Sequence, residues 1–229
     1  MVGGGIELNR QSAIHEIIER MFRFKLDRPL RVAVSGITAS GKTTFANELQ
    51  KEMQLQGRKI VRTSIDNFHN PRIVRYSQGK ESAKGYYEDA HDYKAFVERL
   101  LIPLGPDGGM RYETKSHDLE TDMCMESNPI LASKDMVFII DGTFLLKKEL
   151  QHLFDYKIFV ETDFEIARER GANREAKAFG NKEKAEEMFL QRYHAACHMY
   201  MEEHAPKEYA DAVFINNNIE VPIVVFKNF

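Results

Sequence analysis

The residues best suited to chemistry lie at positions 36–44, which read Gly-Ile-Thr-Ala-Ser-Gly-Lys-Thr-Thr. This stretch matches the phosphate-binding pattern G-x-x-x-x-G-K-[ST] in full. Glycines allow unusual backbone dihedrals, so that successive N–H groups can point at a polyphosphate. The lysine places a compact charge beside the β- and γ-phosphates, and the next hydroxyl can bind Mg²⁺. The predicted nucleoside triphosphate site comprises Gly36, Ile37, Thr38, Ala39, Ser40, Gly41, Lys42, Thr43 and Thr44.

Two predicted elements hold this loop in place. Residues 30–34 form a mostly apolar run that predicts a buried strand, and residues 43–57 are compatible with a helix. The helix adds its unpaired N-terminal N–H groups and the positive end of its dipole to the site. A glycine-rich turn without a ligand is the alternative, but the full match and the order of strand, loop and helix favour phosphate binding.

Two acidic residues follow other predicted strands. Asp66 ends a strand over about residues 59–65, and Asp141 ends the apolar run at 136–140. In open α/β sheets ligands bind at the carboxyl ends of strands, so both acids should lie near the loop. A carboxylate there can accept a proton from an attacking hydroxyl or help to hold Mg²⁺, although Asp66 could equally cap the next turn. Together with Thr43, these two acids are the predicted metal ligands.

A charge-dense helical region is predicted over about residues 163–209. Arg170 and Arg174 are four residues apart, hence on one helix face, and two guanidinium groups so placed could reach phosphate oxygens. A solvated face on which these arginines pair with neighbouring glutamates explains the same spacing. Gly180 interrupts the helical pattern and would allow a hinge.

The composition is that of an ordinary globular domain. Of 229 residues 43% are hydrophobic and 29% charged, so we expect one domain over residues 1–229. Residues 6–26 carry apolar side chains at helical spacing and predict an amphipathic helix. The net charge of -3 speaks against nucleic acid, and apolar runs such as 136–140 are too short to span a membrane. Cys124 and Cys197 stand in unrelated contexts, which favours reduced thiols and a cytoplasmic protein.

The chain carries a series of motifs in order: the loop at 36–44, Asp66-Asn-Phe-His, Gly85-Tyr-Tyr-Glu-Asp-Ala-His-Asp, Ile140-Asp-Gly, and the helix with Arg170 and Arg174. Together they resemble the uridine kinase and phosphoribulokinase group of phosphate-loop kinases, over about residues 31–218. The resemblance implies an α/β fold of the P-loop NTPase type. This is a three-layer α/β/α sandwich with a five-stranded parallel sheet, a small hairpin over the acceptor site and a helical lid. It also implies ATP and Mg²⁺ as cofactors.

The resemblance assigns roles to individual residues. Lys42, Asp66, Arg170 and Arg174 match catalytic positions, with Asp66 as the base and Mg²⁺-associated acid and the arginines on phosphates. Asp141 matches a position near the metal. The residues assigned to the acceptor are Asp66, His69, Tyr87, Tyr112, His117 and Arg170.

The acceptor side departs from the uridine kinase pattern. Gly85-Tyr-Tyr-Glu stands where those enzymes carry an aspartate that binds ribose hydroxyls. Glu113 replaces an aspartate, and Leu119 replaces an arginine. In the same region, Asp89 or His91 could touch a substrate, although acids are common where a helix begins.

These features predict an ATP- and Mg²⁺-dependent small-molecule kinase, with the 5′-hydroxyl of uridine or cytidine as the first candidate acceptor. The alternative acceptor is another metabolite alcohol, such as nicotinamide riboside, pantothenate, glycerate or ribulose 5-phosphate. A non-catalytic nucleotide-binding switch is a further alternative. We expect no nucleic acid or membrane partner, and a homo-oligomer is possible.

Overall fold

A computed structural model describes residues 6–126 and 128–227 of the chain. Its strands are β1 Ile6–Glu7, β2 Leu30–Gly36, β3 Ile60–Ser64, β4 Arg111–Tyr112, β5 His117–Asp118, β6 Met123–Cys124, β7 Ile130–Leu131, β8 Val137–Asp141, β9 Tyr156–Glu161, β10 Ala212–Ile215 and β11 Ile223–Phe226. Its helices are α1 Arg10–Met21, α2 Lys42–Leu55, α3 Arg72–Arg75, α4 Ala83–Asp89, α5 Tyr93–Phe96, α6 Phe164–Phe179, α7 Lys182–Met188, α8 Ala195–His204 and α9 Pro206–Tyr209. The π-helical segments Val97–Leu101 and Phe189–His194 continue α5 and α7.

The central sheet has the strand order β1-β11-β10-β9-β2-β8-β3. Neighbours from β10 to β3 are parallel, which confirms the predicted five-stranded parallel sheet within the described chain. Beyond β10, β11 pairs antiparallel with β10 and β1 pairs antiparallel with β11, an extension that the sequence did not predict. Because β3, β8 and β2 are adjacent and parallel, their carboxyl ends lie together at one edge.

Helices cover both faces of this sheet. Val32 and Val34 of β2 are buried with side chains of α1 and α2 on one face. Ala33, between them, is buried on the other face with Phe96 of α5 and Tyr200 of α8. This alternation is the two-residue period of a strand buried on both sides. The described residues therefore form the predicted three-layer α/β/α sandwich.

The N-terminal helix is shorter than the predicted residues 6–26 and spans Arg10–Met21. Residues 6 and 7 pair with β11 instead, and the Asn9 side chain caps the helix by accepting a 2.9 Å hydrogen bond from the Ser12 N–H. The predicted spacing is nevertheless correct, and the buried positions are Ala13, Ile14, Ile17, Ile18 and Met21. The helix packs on its own sheet.

A small hairpin lies beside the end of β3, as predicted. β4 pairs with β7 and β5 pairs with β6, both antiparallel. The Thr63 hydroxyl donates to the Thr114 carbonyl at 2.9 Å, and the Ser116 N–H donates to the Asn67 carbonyl at 3.0 Å. These bonds fix the hairpin against the turn that contains Asp66.

The predicted helical lid region over about 163–209 comprises α6 to α9. Gly180 ends α6 with a φ of 97°, a conformation that glycine adopts without strain, and α7 begins two residues later. Among residues 6–126 and 128–227, no helix combines the length and apolar character needed to cross a bilayer.

Asp155 joins the beginnings of β2 and β9. Its carboxylate accepts two 2.7 Å hydrogen bonds from the Arg28 guanidinium and bonds of 3.0 and 3.1 Å from Arg31, which is buried. Burial raises the pKa of Asp155, but these arginines outweigh it and hold that pKa below its usual range. The ion pairs therefore stabilise the fold as long as Asp155 is charged.

We expect Asp155→Asn to lower the free energy of unfolding by roughly 3 kcal/mol near neutral pH, because buried Arg31 loses its counter-charge. The folded-state pKa lies below the unfolded value of about 3.9, so the contribution of Asp155 is complete above that pH and is lost as the pH falls through the folded pKa. Urea unfolding should show that the difference in free energy of unfolding between Asp155→Asn and wild type becomes smaller at acid pH. Asp27→Asn, which removes an exposed partner of Lys134, is the matched control. A difference that is constant with pH would contradict the ion-pair explanation.

Candidate functional site

The loop between β2 and α2 has the predicted strand, loop and helix order. A Cβ atom on Gly36 would lie 2.3 Å from the Val160 carbonyl oxygen, and one on Gly41 would lie 2.6 Å from the Asn216 amide nitrogen. Gly41 also has a φ of 93°. The backbone of the loop therefore requires glycine at both positions of the motif.

Asn216, directly after β10, fixes the phosphate-binding loop through a hydrogen bond to its backbone. Its side-chain N–H donates to the Ser40 carbonyl at 2.8 Å, and its side-chain oxygen accepts a 2.8 Å hydrogen bond from Arg10 of α1. The Thr162 hydroxyl also donates to the Ser40 carbonyl, at 3.0 Å. Asn216 and Thr162 thus hold the Ser40 carbonyl directly, and Arg10 in turn holds the Asn216 side chain.

A cleft of about 150 Å³ opens above the loop. Its lining residues come from the loop, the ends of β3 and β8, α4 and α6: Thr38, Ala39, Gly41, Lys42, Thr43, Thr44, Asp66, Tyr86, Asp141, Gly142, Thr143 and Arg174. Three predicted loop residues, Gly36, Ile37 and Ser40, are not part of this lining. Ile37 and Ser40 are buried, and their carbonyls accept hydrogen bonds that shape the loop.

Lys42 is buried in this cleft, with 8% of the residue exposed. Its ammonium donates to the Ile37 carbonyl at 2.8 Å. Burial lowers the pKa of Lys42, whereas the negative charges of Asp141 and Asp66 oppose that change. A buried cation held by a neutral carbonyl is incompletely compensated, so a polyphosphate in the cleft would complete its environment.

Asp141 lies opposite Thr43, as the metal prediction requires. The Thr43 hydroxyl donates to one carboxylate oxygen of Asp141 at 2.6 Å, and Arg62 of β3 donates to the other at 2.6 Å. Hydroxyl and carboxylate oxygens are the ligands that Mg²⁺ prefers, so these two residues fit the metal that the resemblance implies. Arg62 was missed at the sequence level, where a charged residue within a strand was the only signal.

Asp66 lies in the Ile65–Phe68 turn directly after β3, with its side chain 65% exposed to the cleft. Ser64 caps that turn by accepting from the Asp66 N–H at 3.2 Å, so capping does not require the Asp66 carboxylate. His91 Nε2 lies 3.4 Å from its Oδ1. Partial loss of hydration raises the pKa of Asp66. The hydrogen bond and charge of His91, together with His69 and Lys42, have the larger effect and lower that pKa to about 2. Asp66 is therefore ionised at neutral pH.

Tyr87, which was predicted to contact the substrate, does not line the cleft in this structure. Its hydroxyl lies 2.6 Å from a Glu203 carboxylate oxygen and 2.7 Å from His204 Nε2. His204 Nδ1 accepts from the Lys148 N–H at 3.0 Å, so Nε2 carries the proton and donates to Tyr87. Tyr87 thereby ties α4 to the end of α8. Its neighbour Tyr86, on the other side of α4, lines the cleft instead.

Tyr112 and His117 are also outside the lining of the cleft. Tyr112 is buried and packs edge to face on Phe138, with ring centroids 4.6 Å apart. His117 is buried, and its Nε2 lies 3.1 Å from a carboxylate oxygen of Asp122, which also accepts from Arg75. Both side chains stabilise the hairpin and the core. The spacing of Tyr112 and His117 in the sequence predicted a contact with the acceptor. Packing on Phe138 and pairing with Asp122 instead determine where the two side chains point.

His69 lies beside Asp66, as its position in the motif suggested. Its Nδ1 is 2.7 Å from the Asp66 backbone oxygen, and its ring centroid is 4.5 Å from that of His91. Burial and the neighbouring His91 lower the pKa of His69 to about 4. His91 is almost fully buried and belongs to the same group.

The two lid arginines have different surroundings. Arg174 lines the cleft and pairs with Glu175 at 2.8 Å. Arg170 does not reach the cleft, since its guanidinium donates to the carbonyls of Asn216 and Asn217 at 2.9 and 2.8 Å. The four-residue spacing predicted that both arginines face the same way. At Arg170, however, α6 lies against the residues that follow β10. Arg170 therefore holds the turn that supports the phosphate loop.

Several known proteins are similar in sequence to this chain. The chain is 28% identical over 135 residues to uridine-cytidine kinase B of Dictyostelium discoideum, covering 59% of this chain and 54% of that protein. It thus spans about half of the length of that relative, and 31% of uridine kinase-like protein 5 of Arabidopsis thaliana. Uridine kinase of Halalkalibacterium halodurans is 27% identical over 206 residues, which is 87% of this chain and 93% of that enzyme.

Solved structures agree with these relatives. A possible uridine kinase from Bacillus stearothermophilus matches with a TM-score of 0.68 at 25% identity, covering 89% of this chain and 97% of that one. D-glycerate 3-kinase from Cryptococcus neoformans, at 14% identity and a TM-score of 0.52, shares the fold. The sequence pattern of the Phosphoribulokinase / Uridine kinase family matches residues 32–218, most of the chain. The chain therefore belongs to the phosphoribulokinase and uridine kinase family.

Proposed function

We propose that this kinase transfers the γ-phosphoryl group of ATP to a hydroxyl of a small metabolite, with the 5′-hydroxyl of uridine or cytidine as the first candidate. One observation carries the proposal. Lys42, Thr43, Asp66, Asp141 and Arg174 come from different parts of the chain and line a single cleft. A cation for phosphates, oxygens for a metal and a carboxylate for the acceptor are together what phosphoryl transfer needs.

The donor is bound by the loop. Backbone N–H groups and the Lys42 ammonium hold the β- and γ-phosphates, and Arg174 balances charge on the outer oxygens. Thr43 and Asp141 would hold Mg²⁺, which when bound neutralises the negative charge shared by those phosphates. Arg62 fixes the orientation of the Asp141 carboxylate from behind.

The acceptor is oriented by Asp66. Its carboxylate accepts a hydrogen bond from the attacking hydroxyl, whose oxygen forms the new bond to phosphorus while the bond to the β-phosphate oxygen breaks. The hydroxyl proton passes to Asp66 or to solvent. With a pKa of about 2, Asp66 is a weak base, so positioning contributes more than basicity, as a loose transition state allows.

A second candidate acceptor is a different metabolite alcohol, such as nicotinamide riboside, pantothenate, glycerate or ribulose 5-phosphate. The specific observation in its favour is that Tyr87, Tyr112 and His117 are engaged within the protein and do not line the cleft. The residues expected to read a nucleoside are therefore not presented to it. A non-catalytic switch has less support, because Asp66 and Arg174 both face the loop.

Release of ADP from Mg·ATP tests both candidates. The panel contains uridine, cytidine, nicotinamide riboside, pantothenate, glycerate and ribulose 5-phosphate, with Asp66→Asn as the control for contaminating kinases. We expect one compound to give turnover that the Asp66→Asn protein lacks. Tight ATP binding without turnover on any compound would contradict the nucleoside proposal and support the switch.

Substitution of the two lid arginines should have different effects, one on the catalytic rate and the other on stability and ATP binding. We expect Arg174→Ala to lower kcat by about 10-fold or more with little change in melting temperature, because its exposed guanidinium faces the phosphates. Arg170→Ala should instead lower the melting temperature and raise KM for ATP, because the Asn216 and Asn217 carbonyls lose their donors. Steady-state kinetics and thermal unfolding of both variants decide the matter. The reverse assignment of effects would contradict the observed contacts.

A further inference from the structure

Asp66, His69 and His91 form a cluster at the cleft that phosphoryl transfer does not fully account for. One potential ligand atom of each lies within 4.8 Å of the others. We propose that this cluster binds one divalent transition-metal ion of the Zn²⁺ class. The site shares Asp66 with the predicted Mg²⁺ ligands Thr43, Asp66 and Asp141, but it adds two imidazoles that phosphate-bound Mg²⁺ does not need.

The backbone brings the two histidines together. His69 and His91 face each other in an isolated antiparallel bridge. The Asn70 N–H donates to the Ala90 carbonyl at 3.0 Å, and the Asp92 N–H donates to the Phe68 carbonyl at 2.7 Å. These bonds flank the pair, which makes it the non-hydrogen-bonded type of antiparallel pair, in which the facing side chains are closest. The two imidazoles are therefore held on one face by main-chain bonds.

The hydrogen bond of His69 prepares one of its nitrogens for a metal. Nδ1 lies 2.7 Å from the Asp66 backbone oxygen. A carbonyl oxygen only accepts, so Nδ1 carries the hydrogen and Nε2 of the neutral ring keeps a free lone pair. Metal-binding histidines are commonly oriented in this way, with the other ring nitrogen donating to a backbone carbonyl.

His91 provides a second, independent indication. The residue is 3% exposed, and its Nδ1 has no hydrogen-bond partner among the residues that the structure describes. Its Nε2 faces the Asp66 carboxylate at 3.4 Å, which is longer than a strong charged hydrogen bond. The ion would bind this loosely held Nε2, which already faces Asp66, whereas the unpaired Nδ1 lies on the other side of the ring and would not contact it.

The donor set selects the class of ion. Two imidazoles and a carboxylate favour Zn²⁺ and its neighbours, whereas Mg²⁺ prefers oxygen ligands. Zinc bonds of about 2.0–2.2 Å bring ligand atoms to about 3.5 Å from one another, so the cluster must contract. The exposed Asp66 side chain and the half-buried His69 can move towards the fixed His91. Three protein ligands leave a fourth position open to the cleft.

The ion would control the reaction through Asp66, a consequence that rests on the proposed function. A carboxylate bound to a transition metal is less available to orient the acceptor hydroxyl. We therefore expect Zn²⁺ to inhibit phosphoryl transfer, with relief by excess acceptor or by a chelator. Metal binding itself does not depend on the identity of the acceptor.

Cobalt binding tests the site without any enzyme assay. The chelator-treated full chain is titrated with Co²⁺ in the absence of nucleotide and Mg²⁺, and visible absorption reports the ion in a nitrogen and oxygen environment. We expect one equivalent to bind and Zn²⁺ to displace it. His69→Gln and His91→Gln should each weaken binding by about 10-fold or more. His152→Gln, at an exposed histidine elsewhere, and Thr43→Ala, in the Mg²⁺ position, should bind Co²⁺ as the wild type does.

Distinct results would overturn the proposal. No saturable absorption, or equal weakening in His152→Gln, would exclude a site at this cluster. Because buried His91 could be needed for folding, half-buried His69 is the deciding position, and circular dichroism confirms that each variant is folded. An unchanged affinity in folded His69→Gln would also exclude it. If the protein is an active kinase but does not bind Co²⁺, the metal site is refuted and the proposed function stands. If it binds Co²⁺ but is inactive on the acceptor panel, the proposed function is refuted and the metal site stands.

Discussion

Replacing Lys42 with methionine is expected to lower kcat/KM for phosphoryl transfer by about 10³-fold. The ammonium is buried at the base of the cleft and is held there by the Ile37 carbonyl. It is the loop's only side-chain cation, so no neighbour within the loop can replace it. Methionine keeps a similar length and apolar stem but removes the charge that the transferring phosphoryl group requires.

The same variant should not lose stability. Because burial of an incompletely paired cation is costly, removing the charge should leave the free energy of unfolding unchanged or raise it. Lys51→Met, on the exposed side of the same helix, is the matched control and should retain full activity. Steady-state kinetics and urea unfolding of both proteins provide the comparison. If Lys42→Met were inactive because it unfolds, or retained wild-type kinetics, the assigned role would be wrong.

Asp66→Asn is expected to lower kcat by roughly 10²-fold. Asparagine has the same size and keeps an oxygen near His91, but it cannot take up a proton or carry the negative charge that orients the hydroxyl. Since the side chain is largely exposed, the melting temperature should change little. Asp135→Asn, at an exposed surface ion pair with Lys59, serves as the matched control.

The pH profile sharpens this prediction. The pKa of Asp66 is lowered to about 2, so the carboxylate stays ionised from neutral pH down into acid. A loss of kcat on mild acidification would therefore have to come from another group. Measurement of kcat against pH in wild type and Asp66→Asn should show parallel profiles near neutrality. A near-normal kcat in the variant would remove Asp66 from the mechanism.

The phosphate loop and the acidic strand ends could be predicted because they depend on short stretches of sequence. Glycines at fixed positions determine the loop, and a buried parallel strand that ends in Asp141 must present it at the carboxyl edge of the sheet. The parallel order of the sheet followed from the family resemblance. The antiparallel edge was not predictable, because β1 is described over two residues and pairs with β11, which is far from it in the sequence.

The contacts of several residues around the site depend on distant segments, which the sequence alone does not show. Arg62 binds Asp141 across neighbouring strands, and Arg170 binds the carbonyls after β10. Adjacent Tyr86 and Tyr87 have similar chemistry, and only the positions of α4 and α8 decide which one faces the cleft. Periodicity and spacing give the position of a side chain along an element, but the partner is set by tertiary packing.

The contacts of Asn216 also bear on how the chain is synthesised. Asn216 supports the Ser40 carbonyl across 176 positions of sequence and binds Arg10 across 206. Contacts of such separation form late, because a long loop must close before they contribute. On the ribosome, the phosphate loop emerges before β10 and lacks this support until Asn216 has also been translated. A chain arrested before β10 could therefore build the β2, β8 and β3 neighbourhood, yet its nucleotide site would remain unfinished.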